Sequence, residues 1–249
     1  MVKAKQTLTS LISAGALVLA QNTFSQEIAK NSKEISSLAP KNAFVRASWH
    51  SRYMGTFGFT LSDGPVTQND LGFDIGKVSY NLWTNYDFDK GNGKGLNEID
   101  NSLVATFQTK HLTIQPDFYW YTFPGVDFPD AFTFGLAVST RNLPLDLKLY
   151  GTKSYGSSEG SLAQLSIGKS FQLNKRVSFN LNSALTYNNS YFVHGSGFTV
   201  VSAGANVNIN LGKGYSLNTG IRSQKALESL GGTFKDHAAI FDFSLKKSF

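Results

Sequence analysis

The chain has 249 residues, of which 41% are hydrophobic, 13% aromatic and only 16% charged, and its formal net charge is +6. A chain this apolar and this weakly charged is not intrinsically disordered. It contains no cysteine, which excludes disulfide bridges and a lipid anchor on cysteine. Its basic residues are scattered, so the positive charge does not indicate a nucleic-acid-binding protein.

The N-terminal segment predicts a secretory signal. Two lysines precede an apolar run from Leu8 to Ala20, which ends in small residues of the kind that a signal peptidase recognises. A membrane-spanning helix needs about 20 apolar residues, so this run is too short to be one. We expect a signal peptide over residues 1–20, or cleavage after Ser25 instead, and a polar periplasmic tail over residues 21–42.

From residue 43 to the C-terminus, apolar and polar residues alternate with a period of two, which predicts β-strands throughout. The strand that begins at Val78, for example, places Tyr80 and Leu82 on one face and Ser79 and Asn81 on the other. We predict twelve strands, over residues 43–55, 66–75, 78–88, 97–109, 112–122, 131–140, 145–153, 161–171, 176–188, 198–211, 214–224 and 235–249.

The connections between these strands alternate between short turns and longer loops. Turns such as Gly76-Lys77 and Gly212-Lys213 follow the even-numbered strands, and loops rich in Gly, Pro, Asp and Ser follow the odd-numbered ones. Outer-membrane barrels show this alternation, with periplasmic turns and longer external loops. Because lipid cannot satisfy backbone groups, a spanning sheet has to be closed. The fold class we predict is an all-β, closed antiparallel transmembrane β-barrel of about twelve strands, over residues 43–249.

Aromatic residues near the predicted strand ends resemble the girdle that such barrels place at the membrane interface. The sequence-based candidates are Trp49, Tyr53, Trp120, Phe123, Phe171, Tyr187 and Tyr215. At the C-terminus, Phe241, Phe243, Leu245 and Phe249 occupy alternate positions. This pattern resembles the terminal signal that barrels present to their assembly machinery, so we expect that machinery and outer-membrane lipid as partners.

Several short segments between residues 46 and 125 resemble the TorF-type porin family of outer-membrane proteins. They are Ser51-Arg52-Tyr53 with Gly55, Pro65 to Gln68, Gly76, Tyr80 to Asn85, Asn97 to Asp100, and Tyr119 to Tyr121 with Pro124-Gly125. The resemblance implies a barrel and a pore, and it implies neither a substrate nor catalytic residues.

Charged and aromatic residues on the inward face are the candidates for lining a pore. Opposed basic and acidic walls would set an electric field across a water-filled lumen, whereas mutual pairing would plug a narrow barrel. Inward Tyr and Trp could stack flat solutes or fill the lumen. The candidate pore-lining residues are Arg46, His50, Arg52, Trp83, Asp87, Asp100, Asp117, Tyr119, Tyr121, Lys148, Arg222 and Lys246.

Two weaker motifs suggest other chemistry. Residues 87–98 have the spacing of a calcium loop in part, but Gly and Asn stand where the motif requires a ligand and a glycine. His194 lies near Ser190 and Ser196, yet no acidic residue is close enough in sequence to orient it as a catalytic base. We therefore expect no metal, no cofactor and no enzymatic activity.

The sequence as a whole predicts a channel in the bacterial outer membrane for passive diffusion of small hydrophilic solutes. Two alternatives stay open. One is a closed structural or surface-recognition barrel whose loops carry the function, and the other is an outer-membrane hydrolase.

Overall fold

The structure is a computed structural model that describes residues 39–55, 60–88, 95–124, 126, 128–156, 159–192, 195–227 and 237–249. Residues Lys41–Phe249 form one compact unit. The expected signal peptide and nearly all of the expected tail lie outside the described residues. No helix within the described residues is long and apolar enough to cross a membrane.

The described residues form fifteen β-strands. In chain order they are β1 (Lys41–His50), β2 (Tyr53–Met54), β3 (Thr60–Ser62), β4 (Val66–Ile75), β5 (Val78–Asp87), β6 (Gly95–Ala105), β7 (Phe107–Gln108), β8 (Leu112–Thr122), β9 (Ala131–Thr140), β10 (Asp146–Gly156), β11 (Gly160–Gln172), β12 (Val177–Asn189), β13 (Ser196–Gly212), β14 (Tyr215–Ala226) and β15 (His237–Ser248).

Twelve barrel strands close into one antiparallel sheet, in which β6 and β7 together make a single strand that is interrupted at Thr106. Each barrel strand pairs with its neighbours in the chain, and β1 pairs with β15 to close the ring. The short strands β2 and β3 form a separate hairpin within the first loop. The structure thus confirms the closed twelve-stranded barrel that the alternation predicted.

The period-two pattern places apolar side chains outside and polar side chains inside. On β11, Leu165 and Ile167 are exposed on the outer surface, while Gln164 and Ser166 face the interior. An outer apolar band of this kind is what hydrocarbon requires of a spanning barrel. Because the inner face is polar, the mean hydropathy of the whole chain does not indicate the apolar outer surface.

The two ends of the barrel differ in their connections. At the turn end, the link between β13 and β14 is only Lys213-Gly214, and both residues have positive φ, as the tightest β-hairpins require. At the loop end, most connections are longer, although only three residues join β10 to β11, and the first connection contains the β2–β3 hairpin. Phe249 lies at the turn end, where its N–H donates to the Ala43 carbonyl at 2.9 Å.

Two aromatic residues do not belong to the interfacial girdle. Trp49, Trp120 and Tyr215 are exposed on the outer surface, as predicted. Tyr53 and Phe123 instead lie in the loop-end interior, where both line an internal cavity. The prediction was wrong for these two because it used only their position near a strand end, and the connecting loops fold inward.

Candidate lumen site

The barrel wall turns the predicted lumen residues inward, in the register that the strand pairing sets. Arg46 stands opposite Lys246 on β15 and Asp70 on β4. Asp100 stands opposite Trp83 on one side and Tyr121 on the other. The role of these residues in lining an open pore stays a prediction.

Arg46 is an ion-paired residue and not a free cation of the lumen. Its Nε and Nη2 each donate to Asp70 at 2.8 Å, and Asn81 Nδ2 donates to the same carboxylate at 3.2 Å. The Asp70 side chain is 3% exposed and that of Arg46 is 43% exposed. The acid is therefore buried against the wall while the guanidinium faces the interior. Asp70 was not among the candidates chosen from the sequence, although it occupies an inward-facing position of β4.

Lys246 continues the basic wall towards the turn end. Its Nζ lies 3.9 Å from the centroid of the Phe44 ring, a cation–π contact. The ring occupies space that exists because residue 72 is glycine, since a Cβ there would lie 2.5 Å from the ring. Lys246 therefore packs against the Phe44 ring in addition to giving the wall a positive charge.

Arg222 and His50 extend the basic wall towards the loop end, on β14 and β1. Arg222 shows no ion pair and no side-chain hydrogen bond within the described residues, although the Asp242 carboxylate is near enough to influence it electrostatically. Arg52, which follows β1, does have a carboxylate partner, since its Nε lies 3.3 Å from Asp63.

The acidic wall comes from β5, β6 and β8. A β-bulge in β6 sets Glu98 opposite Asn85 and Leu96 opposite Tyr86. Asn97 consequently turns inward as well and accepts a hydrogen bond of 2.7 Å from Asn85. Glu98 was not among the lumen candidates, although it lies in the predicted strand 97–109 at the same parity as Asp100, and it is a buried residue of the wall.

Four candidates on and beside this wall have distinct surroundings. Asp117 accepts a hydrogen bond of 3.4 Å from the Tyr150 hydroxyl. Tyr119 stacks on Tyr121 with 5.7 Å between ring centroids. Lys148 is exposed on the inner face of β10, opposite Ser139. The fourth, Asp87, is buried at the loop end of β5.

The first loop folds into the barrel mouth. Met54 is buried and packs in an apolar cluster with Ala238 and Ile240 of β15. The Tyr53 ring lies 5.7 Å from that of Trp83, and Tyr53 lines the same cavity as Glu98. The β2–β3 hairpin therefore narrows the lumen from one side of the loop end.

An aromatic cluster narrows the loop end from the other side. Phe123 and Phe128 follow β8, and Tyr191 and Phe192 follow β12, so two loops contribute to it. Ring centroids of Phe123 and Phe128 are 4.9 Å apart, and those of Phe128 and Phe192 are 5.7 Å apart. Burial raises the pKa of the Tyr191 phenol to about 12, so it stays a neutral hydrogen-bonding group.

Among the described residues, a loop-end cavity and a turn-end cavity lie between these walls. The loop-end cavity has a volume of about 290 Å³, and the turn-end cavity about 280 Å³. His50 and Gln68 line both cavities and so stand between them. Eight candidates line one cavity or both: Arg46, His50, Arg52, Trp83, Asp100, Tyr121, Arg222 and Lys246.

The turn-end half of the wall formed by β12, β13 and β14 is lined by asparagines that hydrogen-bond to one another. Asn206 Oδ1 accepts from Asn180 at 2.8 Å and from Asn208 and Asn218 at 3.3 Å. Asn218 also donates to Asn208. Asn208 and Asn218 line the turn-end cavity together with Arg46, His50 and Lys246. This wall offers polarity without net charge.

The two weaker motifs fall largely outside the described residues. Residues 89–94 of the calcium-like loop and His194 of the hydrolase candidate are not described. Within the described residues, no group of three or more His, Cys, Asp or Glu side chains is placed to hold a metal ion.

Comparison with known proteins shows a shared fold. No family model matches the chain, and no curated protein matches it. A structure described as a NanC porin is similar with a TM-score of 0.57 at 7% identity, covering 83% of this chain and all of that one. A KdgM porin gives 0.55 at 8% identity, with 83% and 99% covered. The same porin in complex with disordered oligogalacturonate gives 0.54 at 8% identity, with 84% and 99% covered.

At these identities the similarity establishes the fold alone, a porin-like closed β-barrel. It does not extend to the TorF-type family, whose resemblance rests on the short segments before residue 126 and stays a prediction.

Proposed function

We propose that this protein is a channel of the bacterial outer membrane that lets small hydrophilic solutes diffuse through a narrow polar lumen. The observation that carries the proposal is the pair of cavities inside the closed wall, both lined in part by charged and polar side chains and sharing His50 and Gln68. A barrel with a purely structural role could fill this space with its own side chains, as eight-stranded barrels do. Membership of the TorF-type family would agree with this function.

The narrowest part of the route is expected at the loop end. Tyr53 and Met54 reach in from the first loop, and the aromatic cluster around Phe123 reaches in from the opposite side. These contacts also favour the second candidate, a closed barrel whose loops recognise a partner. The two candidates differ in a single measurable property, which is ion conductance.

Planar-bilayer recording of the reconstituted barrel tests the proposal. We expect a small single-channel conductance in wild type and a larger one in Tyr53→Ala, because that change removes the ring that faces Trp83. Trp49→Ala is the matched control, since Trp49 is an exposed aromatic on the outer surface. If wild type and Tyr53→Ala are both silent while folded, the channel is refuted and the closed barrel replaces it.

A further inference from the structure

The loop-end cavity presents acidic and basic side chains on two facing walls. Arg222 belongs to β14, whereas Glu98 and Asp100 belong to β6, and all three line this cavity. The barrel order runs from β14 through β15, β1, β4 and β5 to β6. The cation and the two carboxyl groups are therefore five of twelve strand steps apart, nearly across the lumen from each other.

These charged groups are not satisfied by one another. The Glu98 residue is only 3% exposed, and its Oε2 has no hydrogen-bond partner. Asp100 Oδ1 is buried without a partner as well. Arg222 forms no ion pair within the part of the chain that the structure describes. Leaving buried polar atoms unpaired costs about 1–3 kcal/mol each, more for charged groups, so the cavity favours a guest that pairs them.

The two walls together select for a guest with both signs of charge. An ammonium group near Glu98 and Asp100 would pair the free oxygens and favour the ionised form of these two neighbouring buried carboxyl groups. A carboxylate near Arg222 would accept charge-assisted hydrogen bonds from the guanidinium. A simple cation or a simple anion would satisfy one wall only and leave the other uncompensated.

The remaining surface of the cavity suits the apolar part of such a molecule. Tyr53, Tyr121, Phe123 and Phe192 contribute aromatic lining. Aromatic faces attract an ammonium group and also pack against an aliphatic chain. The volume of about 290 Å³ limits the guest to a small molecule.

We infer that the loop-end cavity is a binding site for a small zwitterion of the amino-acid type, with Arg222 holding the carboxylate and Glu98 and Asp100 holding the ammonium. This inference rests on the proposed function, because it names the class of solute that the channel would recognise. Binding itself can be measured without conductance.

Isothermal titration of the purified barrel in detergent with three related probes tests the site. L-leucine carries both charges, L-leucinamide carries only the ammonium, and N-acetyl-L-leucine carries only the carboxylate. We expect L-leucine to bind at least about 10-fold more tightly than either single-charge probe, a difference that one charge-assisted hydrogen bond supplies.

Substitutions on each wall assign the two halves of the site. Arg222→Gln should abolish the preference for L-leucine over L-leucinamide, and Glu98→Gln or Asp100→Asn should abolish the preference over N-acetyl-L-leucine. Lys246→Gln is the matched control, because Lys246 lines only the turn-end cavity and should leave both preferences unchanged. The mobility of the unheated barrel on a detergent gel verifies that each variant is folded.

The outcomes separate the site from the channel. Equal affinity for the three probes, no binding of any, or preferences that survive the wall substitutions would each overturn the zwitterion site. A barrel that conducts ions but shows no such preference is a channel without this site. A barrel that binds L-leucine selectively but never conducts keeps the site and loses the channel.

Discussion

Breaking the ion pair between Arg46 and Asp70 should destabilise the barrel by different amounts, depending on which of the two residues is replaced. Arg46→Gln would leave the Asp70 carboxylate, which is 3% exposed, without its two hydrogen bonds of 2.8 Å. Removing one partner of a buried pair costs about 3–5 kcal/mol, and the bond from Asn81 keeps this case near the lower figure. Asp70→Asn would leave Arg46, which is 43% exposed and can be hydrated, so its cost is about 1 kcal/mol.

The double variant Arg46→Gln with Asp70→Asn should recover most of the loss, because two neutral amides can hydrogen-bond across the same wall. The measurement is reversible urea unfolding in lipid vesicles, followed through the three tryptophans. Lys246→Gln serves as the control, since it removes a cation with no carboxylate partner in the described residues and should cost about 1 kcal/mol or less. Equal losses in the two single variants, or a double variant as unstable as Arg46→Gln, would refute the reasoning.

Three further predictions concern the faces, the orientation and the terminus. Leu165→Arg on the outer surface should cost about 2–4 kcal/mol in vesicle unfolding and Ser166→Arg on the inner face much less, so equal costs would reverse the two faces. In this cysteine-free chain, a cysteine at exposed Leu227 should react with an impermeant reagent on intact cells, whereas one at exposed Leu143 should stay unlabelled. Deleting Phe249 should slow assembly into the outer membrane, measured by gel mobility over time, and an unchanged rate would exclude its role as the assembly signal.

The sequence predicted the barrel wall well because alternation is a local property. The face that Leu165 or Ser166 occupies depends only on its place in the alternation along the strand. Placing the ends of the strand wrongly by a residue or two does not change that assignment. Partners across strands require the register as well. Asp70 was missed as the partner of Arg46 for that reason, since the pairing of β1 with β4 depends on the loop between them.

The interior of the loop end was the least predictable part of the molecule. Tyr53 and Phe123 have the position of girdle residues in sequence, and only the path of their loops takes them into the lumen. Glu98 stands at the start of its strand beside a Gly-rich loop, and it is buried on the same inward face as Asp100. Loops lack the period that identifies a strand, so their direction is decided by tertiary packing such as that of Met54 on Ile240.

For the proposed channel, the distribution of satisfied and unsatisfied polar groups predicts where in the lumen solutes would be distinguished. At the turn end, Asn206 and Asn218 already bond to each other, so a passing solute gains little there beyond hydration. At the loop end, Glu98 and Asp100 hold free acceptor oxygens and face Arg222. A solute gains free energy only where it forms bonds that the empty channel lacks. Discrimination between solutes should therefore occur at the loop end, before a molecule reaches the neutral asparagine wall.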